Sequence, residues 1–130
     1  MVVCEYNALL GDHPVSVPYD AEFDRFARHS SGHYYGASLS AMAHLMSTRG
    51  FTLVGTTSAC VNAFFVRDDL LIHLPFSVPA RGEWTAMNRR LLRDTRARAG
   101  ELVSLSADEQ RRLLSGLPVV DVTSGVIRYL

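Results

Sequence analysis

The chain has 130 residues, 48% of them hydrophobic and 20% charged, a composition that fits one globular domain and excludes disorder as the dominant state. Thirteen basic residues, all of them arginine, balance thirteen acidic ones, so the net charge does not favour nucleic acid or an anionic membrane. No apolar run reaches the roughly 20 residues of a membrane helix, and no secretory signal is visible, so we expect a cytoplasmic protein.

The chain begins with a predicted strand and reaches its first clear helix near residue 38. The β-branched and aromatic run Val2–Tyr6 is typical of a buried strand. A short extended piece at Val15–Pro18 and a short helix within Asp20–Arg28 are predicted next. From Ser38 to Arg49 the apolar residues share one helical face, and Gly50 follows at the position of a C-terminal cap.

Two more strands are predicted directly after this helix. Phe51–Gly55 follows the helix through a short connection of the α/β kind. Val61–Val66 is apolar almost throughout, which indicates a strand that is covered on both faces at the centre of its sheet. We expect the first two strands to be parallel, because a helix joins them, and the third to lie antiparallel beside them. The predicted fold class is therefore α/β, with helices packed on a mixed sheet.

The last fifty residues differ in character from the rest. We expect an α/β domain over residues 1–79 and an Arg-rich helical extension over residues 80–130 that packs on it. Helical spacing predicts a helix over Glu83–Arg98. A capping box from Ser106 to Glu109 predicts the start of a helix that runs to Ser115, and residues 119–122 predict a final extended segment.

Few side chains in these segments suggest chemistry by their spacing. His29 and His33 are four residues apart, but the Ser-Ser-Gly between them argues against a helix, so we predict no metal site. Cys4 and Cys60 match no metal or redox spacing and are interpreted as reduced core thiols. Ser38 lacks the following glycine of a nucleophile elbow and is interpreted as a helix cap. Because no glycines cluster, the chain has no cofactor-binding turn of its own.

Six arginines give the segment 81–98 an excess of four positive charges over Glu83 and Asp94. These arginines are Arg81, Arg89, Arg90, Arg93, Arg96 and Arg98. A phosphate-binding or nucleic-acid-binding surface is one interpretation of this segment. A solvated helical face is the commoner outcome for such a pattern, so we do not expect nucleic acid as the main partner.

The chain contains, in this order, the segments Val3–Asn7, Tyr35–Leu39 and Gly50–Arg67. This order resembles the C-terminal half of bacterial FkbM-like, S-adenosylmethionine-dependent methyltransferases, and the tail Gly100–Val122 is similar to extensions in uncharacterised members. The resemblance implies a partial Rossmann-like sheet in which the strand 61–66 lies antiparallel between two parallel strands. The S-adenosylmethionine-binding half would lie upstream, so the chain would be a methyltransferase-like fragment that holds no cofactor and is inactive alone.

The same resemblance implies a ligand cleft beyond the C-terminal ends of the parallel strands. It makes Glu5 and Asn7 the candidate catalytic residues. Tyr6, Tyr35 and Ser38 are the candidate substrate-binding residues. Glu5 would act as a general base, although a carboxylate at a strand end equally often caps a loop.

The first strand would lack a neighbour on its outer side if the upstream half is missing. An uncovered strand edge favours association with another chain. We therefore expect a homodimer paired across this edge, or a partner chain that carries the N-terminal half, or residues 8–20 folded over the edge. A truncated reading frame is a fourth explanation. The alternative function is accordingly a non-catalytic interaction module that dimerises through its sheet edge.

Overall fold

The computed structural model describes residues 1–80, 83, 94–96 and 102–130. In this part of the chain the strands are β1 (Val2–Glu5), β2 (Val15–Ser16), β3 (Phe51–Thr56), β4 (Asn62–Arg67), β5 (Asp94–Arg96), β6 (Leu102–Ser104), β7 (Pro118–Asp121) and β8 (Ile127–Tyr129). The α-helices are α1 (Arg25–Arg28), α2 (Leu39–Ser47) and α3 (Ala107–Arg112). Short 3-10 helices lie at Ala8–Leu10 and Asp68–His73.

The first sheet has the strand order β1-β4-β3, and both of its pairings are antiparallel. Val3 lies opposite Phe64, and Thr52 lies opposite Val66. The short link between β3 and β4 makes them a hairpin, and β1 joins the free side of β4. The apolar strand β4 is therefore central in this sheet, as its sequence indicates.

One face of the first sheet packs against α2 and forms the first core. The buried members of this core are Tyr6, Ala8, Leu39, Ala43, Met46, Leu53, Cys60, Ala63 and Phe65. Ser38 is the N-cap of α2, as predicted, and Gly50 after the helix has a φ of 73°, a conformation that glycine adopts without strain.

The second sheet has the order β2-β7-β8, again with antiparallel pairings only. Its core lies between this sheet, the 3-10 helix Ala8–Leu10 and the residues that follow α3. The buried members of this second core are Leu9, Leu10, Val15, Tyr34, Leu114 and Val119. The predicted capping box is confirmed at the start of α3, where Ser106 and Glu109 bond each other's backbone N–H groups.

The two sheets are joined at the start of α2. The Asn7 N–H donates to the Ala37 carbonyl at 2.8 Å, and the Ser38 N–H donates to the Val15 carbonyl at 2.9 Å. The segment 37–38 therefore contacts the end of β1 on one side and the start of β2 on the other, which connects the first core to the second.

The predicted Rossmann-like fold class is wrong. The described strands form two small three-stranded sheets and the hairpin β5-β6, and every neighbouring pair in them is antiparallel. β1 and β3 run in the same direction on opposite sides of β4, which is the arrangement expected for the strand 61–66. No two described strands pair in parallel, however, and the other described strands form separate antiparallel sheets. The C-terminal part of the chain is not helical throughout, because β7 pairs with β2 across more than a hundred residues of chain. The helix after Ser106 and the extended segment at 119–122 are present as predicted.

Most of the helix predicted over Glu83–Arg98 lies outside the residues that the structure describes. Residues 94–96 are described, and they form β5 rather than a helix. Among the described helices none is long and apolar enough to cross a membrane, since the longest, α2, has nine residues.

Candidate functional site

The two candidate catalytic residues have different environments. Glu5 is exposed at the end of β1, opposite Asn62 of β4. Asn7 is fully buried, and its Nδ2 donates to the carbonyls of His33 at 2.7 Å and Tyr35 at 3.0 Å. The Asn7 Oδ1 accepts the Leu9 N–H at 3.1 Å. Since both amide protons and the carbonyl oxygen of Asn7 bond to backbone, this side chain holds the loop 33–35 against the chain that leaves β1.

Two of the candidate substrate-binding residues are buried in the fold. Tyr6 is 1% exposed within the first core, and burial, followed by the neighbouring Cys60 thiol, raises the pKa of its hydroxyl well above the ordinary value. The Ser38 Oγ is fully buried and accepts the N–H groups of Ala41 at 3.1 Å and Val15 at 3.2 Å. It also donates to the His13 carbonyl at 2.6 Å. Ser38 therefore caps α2 and fixes the entry to β2.

Tyr35, the third candidate, is half-buried at the surface. The guanidinium of Arg25 lies over its ring, 5.0 Å from the ring centroid. The structure thus brings Asn7, Tyr35 and Ser38 to one short stretch of loop, where Asn7 and Ser38 hold backbone in place. Glu5 lies apart from them on the surface of the first sheet.

The outer edge of β1 presents backbone hydrogen-bonding groups away from the sheet. The Tyr6 N–H donates to the Val61 carbonyl at 2.8 Å, and the bonding of an antiparallel pair alternates along the strand. The N–H and C=O groups of Val3 and Glu5 therefore point away from β4. No other described strand pairs with this edge, and the Val3 side chain is 51% exposed.

A strip of apolar side chains runs across the first sheet to this edge, on the face opposite α2. Val3 is at the edge, with the half-buried Phe64 opposite it on β4 and the buried Val66 two residues further along β4. Val3 is the most exposed of the three. The edge of β1 therefore combines open backbone groups with exposed apolar surface, which is the combination that favours strand pairing between chains.

A cavity of about 600 Å³ lies in the other half of the molecule, beside the second core. Residues 9–15, the chain around the C-terminal end of α3, and the strands β7 and β8 surround it. Its buried apolar lining consists of Leu9, Leu10, Val15, Leu114 and Val119. Its exposed charged and polar lining includes Asp12, His13, Arg111, Arg112 and Arg128.

Two of these arginines lie near carboxylates. Arg128 Nη2 is 2.9 Å from Asp121 Oδ2, and Arg111 Nη1 is 3.8 Å from Asp108 Oδ1. Asp121 also accepts the Thr123 hydroxyl at 2.6 Å, and this bond, with the backbone N–H groups of Thr123 and Ser124 and the charge of Arg128, lowers its pKa to about 2. Asp121 is therefore charged at neutral pH and holds Arg128 at the cavity.

The sequence gives no local signal for this cavity, because its walls come from three distant segments. Part of one wall is β8, a strand of three exposed residues, which is too short for its pattern to predict a strand. The pairing of β7 with β2 and β8 brings the arginines and the apolar residues together.

The structure gives little support for other sites that the sequence suggested. In the described part of the chain, no three or more His, Cys, Asp or Glu side chains cluster as metal ligands would. His29 Nδ1 is 2.7 Å from the Ser31 hydroxyl, within the loop before His33. Of the six arginines of segment 81–98, only Arg96 lies among the described residues, so the proposed phosphate surface falls outside them.

The fold and site define the described chain as a small α/β protein with two antiparallel sheets. Comparisons with protein-family models, with curated proteins and with solved structures each found no match. The resemblance to FkbM-like methyltransferases therefore stays a prediction from the sequence.

Proposed function

We propose that this chain is an interaction module that forms a homodimer through the outer edge of β1. The observation that carries the proposal is the pair of residues Val3 and Glu5, whose backbone groups face away from the sheet beside an exposed valine side chain. An edge of this kind is a template for another strand. A second copy fits because a two-fold axis pairs the same edge with itself.

The alternation along β1 limits how two copies pair. Only residues whose backbone groups face outward can form the bonded pairs of an antiparallel ladder. A two-fold axis at Cys4 places Val3 of each copy opposite Glu5 of the other, so that all four outward groups of each strand are bonded. The two first sheets then become one six-stranded sheet, in which the Val3 side chains of the two copies are diagonal neighbours on one face.

This arrangement places Cys4 of one copy directly opposite Cys4 of the other, as a pair whose backbones form no hydrogen bonds with each other. Such pairs have Cα atoms about 4.5 Å apart, within the range that a disulfide spans. Diamide should therefore oxidise the two Cys4 thiols to one intermolecular disulfide, with the diamide reduced to its hydrazide. A Cys4→Ser variant should give no cross-linked dimer, whereas Cys60→Ser should still give it.

The decisive measurement is the mass of the chain by gel filtration with light scattering over a wide concentration range. We expect twice the monomer mass of 14.4 kDa for the unaltered chain. Val3→Lys should raise the dimer dissociation constant at least about tenfold, because a lysine on the edge opposes strand pairing. The matched control is Val126→Lys, since Val126 is 56% exposed between β7 and β8 and lies away from the first sheet. A monomer at all concentrations, or a dimer that Val3→Lys leaves unchanged, contradicts the proposal.

The methyltransferase-like activity and the cytoplasmic location stay predictions from the sequence. Methyl transfer would need an S-adenosylmethionine-binding half on another chain, and that half would join at the same edge of β1. The two partners would thus compete for one surface. Binding of S-adenosylmethionine to the homodimer alone would contradict the prediction that this chain holds no cofactor.

A further inference from the structure

We propose that the outer edge of β8 binds an extended peptide as a further antiparallel strand, a peptide that carries apolar side chains at two alternate positions. β8 ends the strand order β2-β7-β8, and no other described strand pairs with its outer side. All three of its residues are exposed. This edge belongs to the second sheet and is separate from the edge of β1.

The hydrogen bonds at the two ends of β8 define which of its backbone groups face outward. The Val126 carbonyl and the Leu130 N–H both bond to the chain segment of β7, at 2.9 Å and 3.1 Å. Because the bonding of an antiparallel strand alternates, Arg128 between them also faces β7. The N–H and C=O groups of Ile127 and Tyr129 therefore point away from the sheet and are placed to bond an added strand.

The side chains of the same two residues supply exposed apolar surface. Ile127 is 57% exposed and Tyr129 is 72% exposed. They lie opposite the half-buried Val120 and Pro118 of β7, on the face of the sheet that points away from the second core, since Val119 between these two is a member of that core. A peptide residue that pairs with either of them places its side chain on this face. Two apolar peptide residues at alternate positions therefore both contact this surface.

Arg128 disfavours a second copy of this chain as the occupant of the edge. A two-fold axis that pairs both outward residues of each copy would place Arg128 directly opposite Arg128 of the other copy, and like charges in that position are destabilising. Each guanidinium already bonds Asp121 of its own chain at 2.9 Å, so this pairing brings neither of them a new partner. A strand of three residues also offers far less surface than the roughly 1,600 Å² of a standard interface between folded chains. A short peptide of different sequence fits the edge better than a second copy.

The test titrates three end-blocked peptides and follows the chain by NMR. The first, Ser-Thr-Val-Thr-Phe-Thr-Ser, has its apolar side chains on one face of an extended strand. The second, Ser-Thr-Val-Phe-Thr-Thr-Ser, has the same composition but places them on opposite faces. The third is the first with N-methyl groups on its valine and phenylalanine, which removes the N–H groups that would bond to β8.

We expect the first peptide to bind, and the second and third to bind at least about tenfold more weakly, because each lacks one of the two kinds of contact. The backbone amides of Ile127 and Tyr129 should shift on binding. Their hydrogen exchange should slow, since both amides become bonded to the peptide.

Ile127→Thr and Tyr129→Thr should each weaken the first peptide at least about threefold, because each removes apolar surface that the peptide covers. Val126→Thr is the matched control, since Val126 is 56% exposed in the same segment but its backbone carbonyl bonds towards β7. Val3→Lys should bind the first peptide normally, which separates this result from the test of the dimer.

Four outcomes overturn the proposal: no binding of the first peptide, equal affinity for the first two peptides, equal affinity for the N-methylated one, or unchanged affinity in both threonine variants of β8. Shifts confined to the amides of Val3 and Glu5 would place the peptide at the edge of β1 and overturn it as well.

Discussion

Asn7 lies at a junction of three backbone segments, and its role follows from its hydrogen bonds. Its side chain bonds the carbonyls of His33 and Tyr35 and the N–H of Leu9, all in the interior. The candidate catalytic residue is therefore one on which the fold depends. Polar residues next to an apolar strand are typical both of active sites and of buried backbone-bonding positions, and the sequence pattern is the same for the two.

Asn7→Ala should destabilise the protein by about 2–4 kcal/mol, because three buried backbone groups lose their partner at once. Asn7→Asp should be destabilising as well, since a carboxylate cannot donate to the two carbonyls. Urea denaturation measures both effects. Asn62→Ala, on the half-buried strand β4, serves as the control and should cost less than half as much. An unchanged urea midpoint for Asn7→Ala would show that these bonds do not hold the loop.

At the level of elements, the hairpin β7-β8 depends on the charge of one residue. Asp121 ends β7, accepts bonds from Thr123 and Ser124 in the turn, and pairs with Arg128 of β8. Because these contacts lower its pKa to about 2, the folded state favours the charged carboxylate. The contribution of Asp121 to stability is then complete above about pH 4, the ordinary range of an aspartate, and is lost as the pH falls towards about 2.

Asp121→Asn should lower the thermal midpoint at neutral pH, and the difference from the unaltered chain should shrink as the pH falls from 5 to about 2. Circular dichroism melts over this pH range measure the difference. Asp108→Asn provides the comparison, since the Asp108 side chain is 77% exposed and its replacement should change the midpoint little at neutral pH. A difference that is independent of pH would rule out the charge of Asp121 as the cause.

Elements with a local signal were predicted well. The helical face of 38–49 predicted α2, the apolar run 61–66 predicted β4, and the Ser106 capping box predicted the start of α3. The short strands β1, β2 and β7 were also predicted as extended segments, but the pairing of β2 with β7 was not. β8 was not predicted, and residues 94–96, predicted as helix, form β5 paired with β6.

On the scale of the whole molecule, the two cores are joined through the start of α2. Asn7 bonds to Ala37 and Ser38 bonds to Val15, so loss of one core should disturb the other. We expect Leu53→Ala in the first core and Leu114→Ala in the second to cost about 2–5 kcal/mol each. Each should lower the hydrogen-exchange protection of Phe65 and of Val119 by the same amount, as in a single cooperative unit. If Leu114→Ala lowers protection at Val119 alone, the cores unfold separately.

The sequence by itself determined the local part of this protein. Hydrophobic periodicity, cap residues and short connections specify α2, the β3-β4 hairpin and the start of α3, because these depend on neighbours in the chain. It also predicted that β1 is a strand and that its outer edge lacks a neighbouring strand.

Only the tertiary structure decided how these pieces combine. Val15 pairs with Asp121 across the length of the chain, and this long-range pairing makes a second antiparallel sheet in place of a Rossmann-like one. The same pairing builds the cavity and brings its arginines together. Asn7 and Ser38 were chosen for chemistry because they are polar, and tertiary hydrogen bonds show that they hold backbone. Distant pairings of this kind leave no local pattern in a sequence, because their energy comes from surfaces that meet only after the chain has folded.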